Sequence, residues 1–172
     1  MTQKTDEWML KADDRGHFNI KIQMDGTWTH EGDPIKRDKL VKLFASVLHR
    51  DEDGQHWLVT PVEKGRIDVE VAPLFITGIN IGNQGEPSTQ SIHISTSTGD
   101  ACTLGAEHPL SMTPAPDGEL LPTVVIRDGL AGLFNRATYY DLMDLITEGP
   151  APNHRLGIWS QGVFFELEAD LG

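Results

Sequence analysis

Two stretches of this chain repeat one pattern. A repeat of this kind commits the fold to two related units that bury their apolar faces against each other. The first stretch runs Ile20-Lys21-Ile22-Gln23-Met24-Asp25-Gly26 into a helical pattern that starts near Arg37. The second runs Val124-Val125-Ile126-Arg127-Asp128-Gly129 into a helical pattern that starts near Arg136. A gap-free overlay of the helical parts sets Leu40 on Tyr139, Val41 on Tyr140, Leu43 on Leu142 and Phe44 on Met143. Each copy closes on a glycine turn, at Gly65 and Gly162, and on a strand ending in Val-Glu-Val or Phe-Glu-Leu. Packing two such units leaves a crease, and creases between domains are favoured places for small ligands.

Composition narrows the partners. The chain has 172 residues, 38% of them hydrophobic, which suits one compact domain or two small ones sharing an interface. Its formal net charge is −12. Nucleic acid is excluded as a partner on that ground, because phosphate binding needs a basic surface. An anionic membrane surface is repelled for the same reason. Cys102 is the single cysteine, so neither an intramolecular disulfide nor a thiolate metal cluster can form. The polar N-terminal residues 1–15 lack a signal-peptide core, and no apolar run is long enough to span a bilayer. A reduced, cytoplasmic protein is expected.

Periodicity supplies the elements. Trp8, Met9 and Leu10 read as a short apolar anchor. Phe18, Ile20, Ile22 and Met24 alternate as a half-buried strand. Asp25-Gly26 is a turn signal, and Thr27-Trp28-Thr29 the return strand. Asp33-Pro34 opens a helix, with Asp33 as its cap; Ile35, Leu40, Val41, Phe44, Val47 and Leu48 give it an apolar stripe. Residues 51–54 form a loop, 57–60 a strand, and Ile67, Val69 and Val71 another. From Pro73 to Leu121 the pattern is a β-meander with strands at 74–81, 91–97 and 100–104. In the second copy Thr138-Tyr139-Tyr140-Asp141 matches a capping box, and Gly149-Pro150 ends the helix. Residues 156–159 and 163–167 close the chain as a hairpin. Strands outnumber helices, so the class is α+β, with an N-terminal domain over residues 1–72 and a C-terminal domain over 73–172.

Few constellations carry reaction chemistry. The seven histidines, His17, His30, His49, His56, His93, His108 and His154, show neither His-x-His nor H-E-x-x-H spacing, so no metal site is assigned. No Gly-x-Ser-x-Gly elbow occurs. Asp51-x-Asp53-Gly54 opens like a calcium loop but lacks its later acidic ligands. The segment from Leu58 to Arg66 is more informative. Pro61 breaks a β-rich run and marks an edge or bend, and Lys64 and Arg66 follow at once. A bent strand end with two cations suits a phosphate or carboxylate, or else a solvated hairpin tip. Arg37 and Arg136 stand at equivalent places near the two helix starts, where they serve either as helix-end contacts or as partners across the crease. Trp28 and Tyr140 offer stacking surface there or plain core.

These residues carry a resemblance. Asp25-Gly26-Thr27-Trp28, Gly32-x-Pro34-Ile35-x-Arg37-x-x-Leu40-Val41-x-Leu43-Phe44, and Leu58-Val59-Thr60-Pro61-Val62-Glu63-Lys64 followed by Ile67-x-Val69-Glu70-x-Ala72-Pro73 resemble the bacterial domain-of-unknown-function family 1285. Glu107-His108-Pro109-Leu110, Arg136-x-x-x-Tyr140 and Leu156-Gly157-Ile158-Trp159-Ser160-x-Gly162-x-Phe164-Phe165 extend it to nearly the whole chain. The resemblance implies a duplicated α+β architecture whose C-terminal part is superficially similar to pleckstrin-homology domains. It further implies a ligand site between the two parts for a nucleotide-like molecule, and a role in signal transduction. Carried onto this chain, the interface candidates are Trp28, Arg37, Thr60, Lys64, Arg136 and Tyr140. The second turn reads Arg127-Asp128-Gly129 where relatives are expected to have Arg-Gly-Gly, which adds a carboxylate near the crease.

The expectation is therefore a non-catalytic sensor without cofactor or metal, binding a small anionic, nucleotide-like ligand between its halves. A protein-interaction module, engaging a signalling partner through a strand edge or helix groove, is the alternative.

Overall fold

A computed structural model describes residues 9–167. Alternation and turn chemistry account for most of it. In the first unit β1 (Asp13–Ile22), β2 (Trp28–His30) and β3 (Asp33–Pro34) form an antiparallel meander. Helix α1 (Asp38–Ser46) follows, then a second meander of β4 (Leu48–Arg50), β5 (His56–Val59) and β6 (Glu63–Val69). The two meanders join where β6 pairs in parallel with β1, giving a six-stranded sheet of order β3-β2-β1-β6-β5-β4. Registers slip twice along β1, beside the left-handed residues Gly16 and Asn19, and bulges of that kind add twist.

In the second unit β7 (Leu74–Gly82), β8 (Ser91–Thr96) and β9 (Ala101–Thr103) make one meander. Strands β10 (Leu110–Pro114), β11 (Leu120–Arg127) and β12 (Leu130–Phe134) make another. They too are joined by a parallel pair, β12 with β7, in the order β10-β11-β12-β7-β8-β9. Helix α2 (Arg136–Met143) and a three-stranded sheet of β13 (Thr147–Glu148), β14 (Leu156–Ser160) and β15 (Val163–Glu166) complete the chain. That last sheet is pinned to the large one by buried Ser160. Its hydroxyl donates to the Leu104 carbonyl at 2.7 Å and accepts the Ile92 N–H at 3.1 Å. The molecule is β-rich with few helices, as expected. None of its described helices is long and apolar enough to cross a membrane.

A helix followed by a three-stranded meander occurs twice, after the three strands β1 to β3 and again after β11 and β12. Closure differs. The meander after α1 returns to β1, whereas the meander after α2 stays apart and leaves β12 to pair with β7. One apolar cluster runs through both units, taking Ile22, Trp28 and Leu58 from the first and Ile76, Ile94 and Val124 from the second.

Local expectations fail at helix starts. Asp33 and Pro34 are strand β3, not a helix cap: Pro34 pairs with Thr29, and the Ile35 N–H reaches the Trp28 carbonyl at 2.8 Å. The first helix starts four residues later with Arg37 as its N-cap, and stops at Ser46, so Leu48 belongs to β4. Helix α2 is capped by Asn135, whose side chain accepts the Thr138 N–H at 2.9 Å. Thr138 is therefore the third helical residue and donates its hydroxyl to Asn135 Oδ1 and to the Ile76 carbonyl, tying the helix to β7. That helix ends at Met143, ahead of Gly149-Pro150. Strands β10 and β12 escape the alternation test. β12 is buried and reads Leu-Ala-Gly-Leu-Phe, where a Cβ on Gly132 would lie 2.5 Å from Ile126 Cδ1. Of the proposed N-terminal anchor, Trp8 lies outside the described residues, Met9 is half-buried and Leu10 is exposed.

Two outcomes follow from this packing. Gly26 has φ +90°, and a Cβ there would sit 2.5 Å from the Phe75 ring. Gly26→Ala is expected to lose about 2–4 kcal/mol in chemical unfolding, from overpacking plus left-handed strain; a loss below about 0.5 kcal/mol, the range of neutral surface changes, would contradict the contact. His56 is the second. Burial first, and then the Arg50 charge, push its pKa down from 6.5 to about 4. Below pH 6.5 the unfolded chain binds a proton that the folded chain refuses. This contribution is thus complete above pH 6.5 and is lost as the pH falls through about 4. Allowing for a ring that keeps some solvent contact, it amounts to about 2 kcal/mol. His56→Gln should flatten the fall of melting temperature across that window, and an equally steep fall in the variant would refute it.

Candidate site in the cleft between the two units

The turn between β1 and β2 reaches the seam. Gly26 donates its N–H to the Gln23 carbonyl at 3.0 Å, and Thr27 donates its N–H to Asp25 Oδ1 at 2.9 Å. Glu70, at the end of β6, accepts the Met24 N–H at 2.8 Å and pairs with Lys21 at 3.2 Å. The Met24 bond, opposed by burial and aided by Lys21, holds the Glu70 carboxyl below the usual range. The turn is therefore stitched from two sides. It delivers Trp28, which is 4% exposed and stacks on Phe44 of α1 at 6.2 Å between centroids and 21° between planes.

The second unit supplies the facing residues. Phe75 on β7 accepts the Ser97 N–H at its carbonyl, 2.9 Å away, which fixes the turn joining β8 to β9. Asp100 organises that turn: its Oδ2 accepts the hydroxyls of Thr96 at 3.1 Å and Thr98 at 3.2 Å. Its Oδ1 accepts Arg127 Nε at 2.8 Å. The same guanidinium donates Nη2 to the Ala45 carbonyl near the end of α1, also at 2.8 Å. Arg127 thus links the helix of one unit to the turn of the other. Charge-assisted bonds of this kind are among the stronger ones in proteins.

Between these parts lies a cleft of ≈ 370 Å³ with walls from both units. Half-buried Phe75 gives it aromatic surface, with Trp28 buried behind its wall; Thr27, Ser97 and Thr98 are its hydroxyl-bearing residues. Among the described residues Lys42 of α1 is its one cation, set against the carboxylates of Asp25 and Asp38. Such a lining suits a compact ring-bearing molecule with several polar groups and a single negative charge.

The structure gathers only part of the expected site. Trp28 lines the cleft, and Arg37, Thr60, Lys64, Arg136 and Tyr140 do not. Arg37 is exposed at the N-cap of α1, with no side-chain capping bond. Thr60 is used in the β5–β6 hairpin, where its hydroxyl donates to the Glu63 carbonyl at 3.0 Å and accepts the Glu63 N–H at 3.1 Å. Lys64 donates to the Met9 carbonyl and sits 5.6 Å above the Trp57 ring. Arg136 lies 5.9 Å from the ring of Tyr140, one turn along the same exposed helix surface. Lys42, Phe75, Ser97 and Thr98 are the lining residues that sequence reasoning missed. Phe75 was placed within a strand at 74–81, and nothing in the sequence marked it or the other three for this cleft.

Histidines do not assemble into a metal centre: among the described residues no group of three or more His, Cys, Asp or Glu could hold an ion. His17 accepts the Asn19 N–H at Nδ1, 2.8 Å away, so its proton sits on Nε2, facing Asp68 Oδ1 at 3.1 Å. Cys102 is half-buried on β9, and burial, then Asp100, raise its thiol pKa, which keeps it in the weakly reactive protonated form.

Comparison with known proteins fits this architecture. No curated protein matches the chain. A crystal structure of a DUF1285 family protein from Silicibacter pomeroyi DSS-3 superposes with a TM-score of 0.83 at 36% identity, over 96% of this chain and 86% of that one. A second, from Shewanella baltica OS155, gives 0.54 at 32% identity, over 73% of this chain and 91% of that one. The model for the N-terminal domain of DUF1285, a domain of unknown function, matches residues 5–72, and that for its C-terminal domain matches residues 73–167. With both halves matched in order along nearly its whole length, the chain belongs to the DUF1285 family.

Proposed function

We propose that this protein is a non-catalytic, cytoplasmic sensor domain that takes a small anionic, nucleotide-like molecule into the cleft between its units and acts in signal transduction. The observation that carries this reading is the shared lining, with Trp28 and Lys42 from one unit and Phe75, Ser97 and Thr98 from the other. Aromatic surface suits a base, and the hydroxyls suit a sugar. Lys42 neutralises one phosphate. Asp25 and Asp38 disfavour further negative charge, so a monophosphate fits better than a polyphosphate. The overall charge of −12 does not prevent this. Exposed charges farther away than about 8 Å are largely screened at physiological salt.

A ligand held by both units favours the arrangement in which they are closed upon it, which is how occupancy becomes a signal. In the same reading the two halves descend from one duplicated unit, supported by the helix-then-meander order that occurs in both. The C-terminal half then corresponds to the pleckstrin-homology-like part that the family resemblance implies.

A thermal-shift titration of the full chain with nucleoside and cyclic nucleotide monophosphates tests the reading. At a concentration about 100-fold above Kd the bound ligand should add about 2.7 kcal/mol of stability, a rise of several degrees. Lys42→Glu should weaken the response at least about tenfold, as loss of a charge-assisted contact costs on the order of 1.5–3 kcal/mol. No rise with any monophosphate at millimolar concentration, or a full response in Lys42→Glu, would end the proposal.

A further inference from the structure

We infer that the exposed face of α1 and the residues just before it form a docking surface for an acidic, extended segment of a partner protein. The seven residues from Lys36 to Lys42 hold four of the chain's 14 Lys and Arg side chains, Lys36, Arg37, Lys39 and Lys42, against one carboxylate, Asp38. All four are exposed. Among the described residues none of them makes an ion pair or a side-chain hydrogen bond. Several other cations are answered: Arg15 pairs with Glu63, Lys21 with Glu70 and Arg127 with Asp100. A chain with 26 Asp and Glu residues has carboxylates in surplus, yet leaves this group unneutralised. Lys36, Lys39 and Lys42 succeed one another at three-residue spacing, and Leu43 beside them is 60% exposed. Side chains three and four apart on a helix are neighbours, so Lys39 lies beside Lys42 and Leu43, and Lys36 and Arg37 stand immediately ahead of the helix's first turn, which sets the exposed cations around one apolar contact point.

Charge complementarity selects the occupant. Outside this strip the chain is more acidic than its net charge of −12 conveys. A membrane surface or a nucleic-acid duplex is broad, and would bring dense negative charge within the roughly 8 Å screening distance of that acidic body. A slender acidic segment reaches the strip alone. An exposed leucine gives such a segment a place for one apolar side chain, as helical recognition surfaces commonly do.

Fluorescence anisotropy with the full chain tests this. The probe is a labelled peptide of four glutamates, one leucine and four glutamates, compared with its glutamine counterpart. The acidic peptide should bind at about 50 mM salt and weaken at least about tenfold by about 200 mM, whereas the glutamine peptide should not bind, since steering between exposed charges is screened by salt. Lys36→Glu, Arg37→Glu and Lys39→Glu together should abolish binding, and Leu43→Ser should weaken it severalfold. Should the triple reversal fail to fold, the triple glutamine variant should still weaken binding at least about tenfold. These variants retain Lys42, so the thermal response to monophosphates should persist, which separates this surface from the cleft. No binding of the acidic peptide at low salt would overturn the inference. So would binding unaffected by the triple variant, or tighter binding to phosphatidylserine vesicles or a single-stranded oligonucleotide.

Discussion

Arg127 sits where a cation cannot be left without acceptors, and meeting that need joins the two units. Its guanidinium is partly enclosed, so both faces of its fork must find oxygen. One finds Asp100, which already holds the hydroxyls of Thr96 and Thr98; the other finds the Ala45 carbonyl near the end of α1. A free carbonyl near a helix C-terminus and a carboxylate-centred turn are thereby set at a fixed separation. Everything between them inherits that geometry. Phe75 comes against Gly26, Trp28 is held on Phe44, and the space left over becomes the cleft. Adding a side chain at Gly26 would press directly on this seam, so the glycine is needed for closeness as well as for its left-handed backbone.

Charge is distributed as unevenly as structure. Acidic residues dominate the chain, and most cations with a visible partner are held in structural contacts, on carboxylates or on the rings of Trp57 and Tyr140. Among the described residues, 36–42 hold the densest group of cations without such a partner, and α1 faces two ways. Lys42 lines the cleft while Lys36, Arg37 and Lys39 stand toward solvent. Since Arg127 also ends on this helix, a molecule in the cleft and a segment on the strip would both bear on one short element of nine residues.

Much of the architecture was legible. Alternation found β1 and β6, each with one face turned to the core, and apolar runs between turn signals found β5, β7 to β9 and the closing hairpin of β14 and β15. The turn at Asp25-Gly26 was legible because only a residue tolerant of positive φ fits there. Helix starts were misread because a proline after an acid also suits a short edge strand, and pairing of Pro34 with Thr29 decided the matter. Buried β12 carried no alternation to read, and β10 carried little. Of the expected site residues Trp28 lies at the cleft, where it is also part of the core. Thr60 and Lys64 were singled out for a bent, cationic strand end, which exists, but whose groups are spent on the hairpin itself and on Trp57.

The sequence alone determined the β-rich class with few helices, the family, the acidic balance and the concentration of cations just before and within α1. These rest on composition and short-range periodicity, which need no knowledge of what lies opposite. Tertiary structure decided how each unit closes, through β6 on β1 in one and β12 on β7 in the other. It also decided which residues share the seam: Lys42, Phe75, Ser97 and Thr98 come from three separate elements and meet only after both sheets have formed. Contacts between distant segments depend on packing and on satisfying groups such as Arg127, and no local pattern in the chain encodes them.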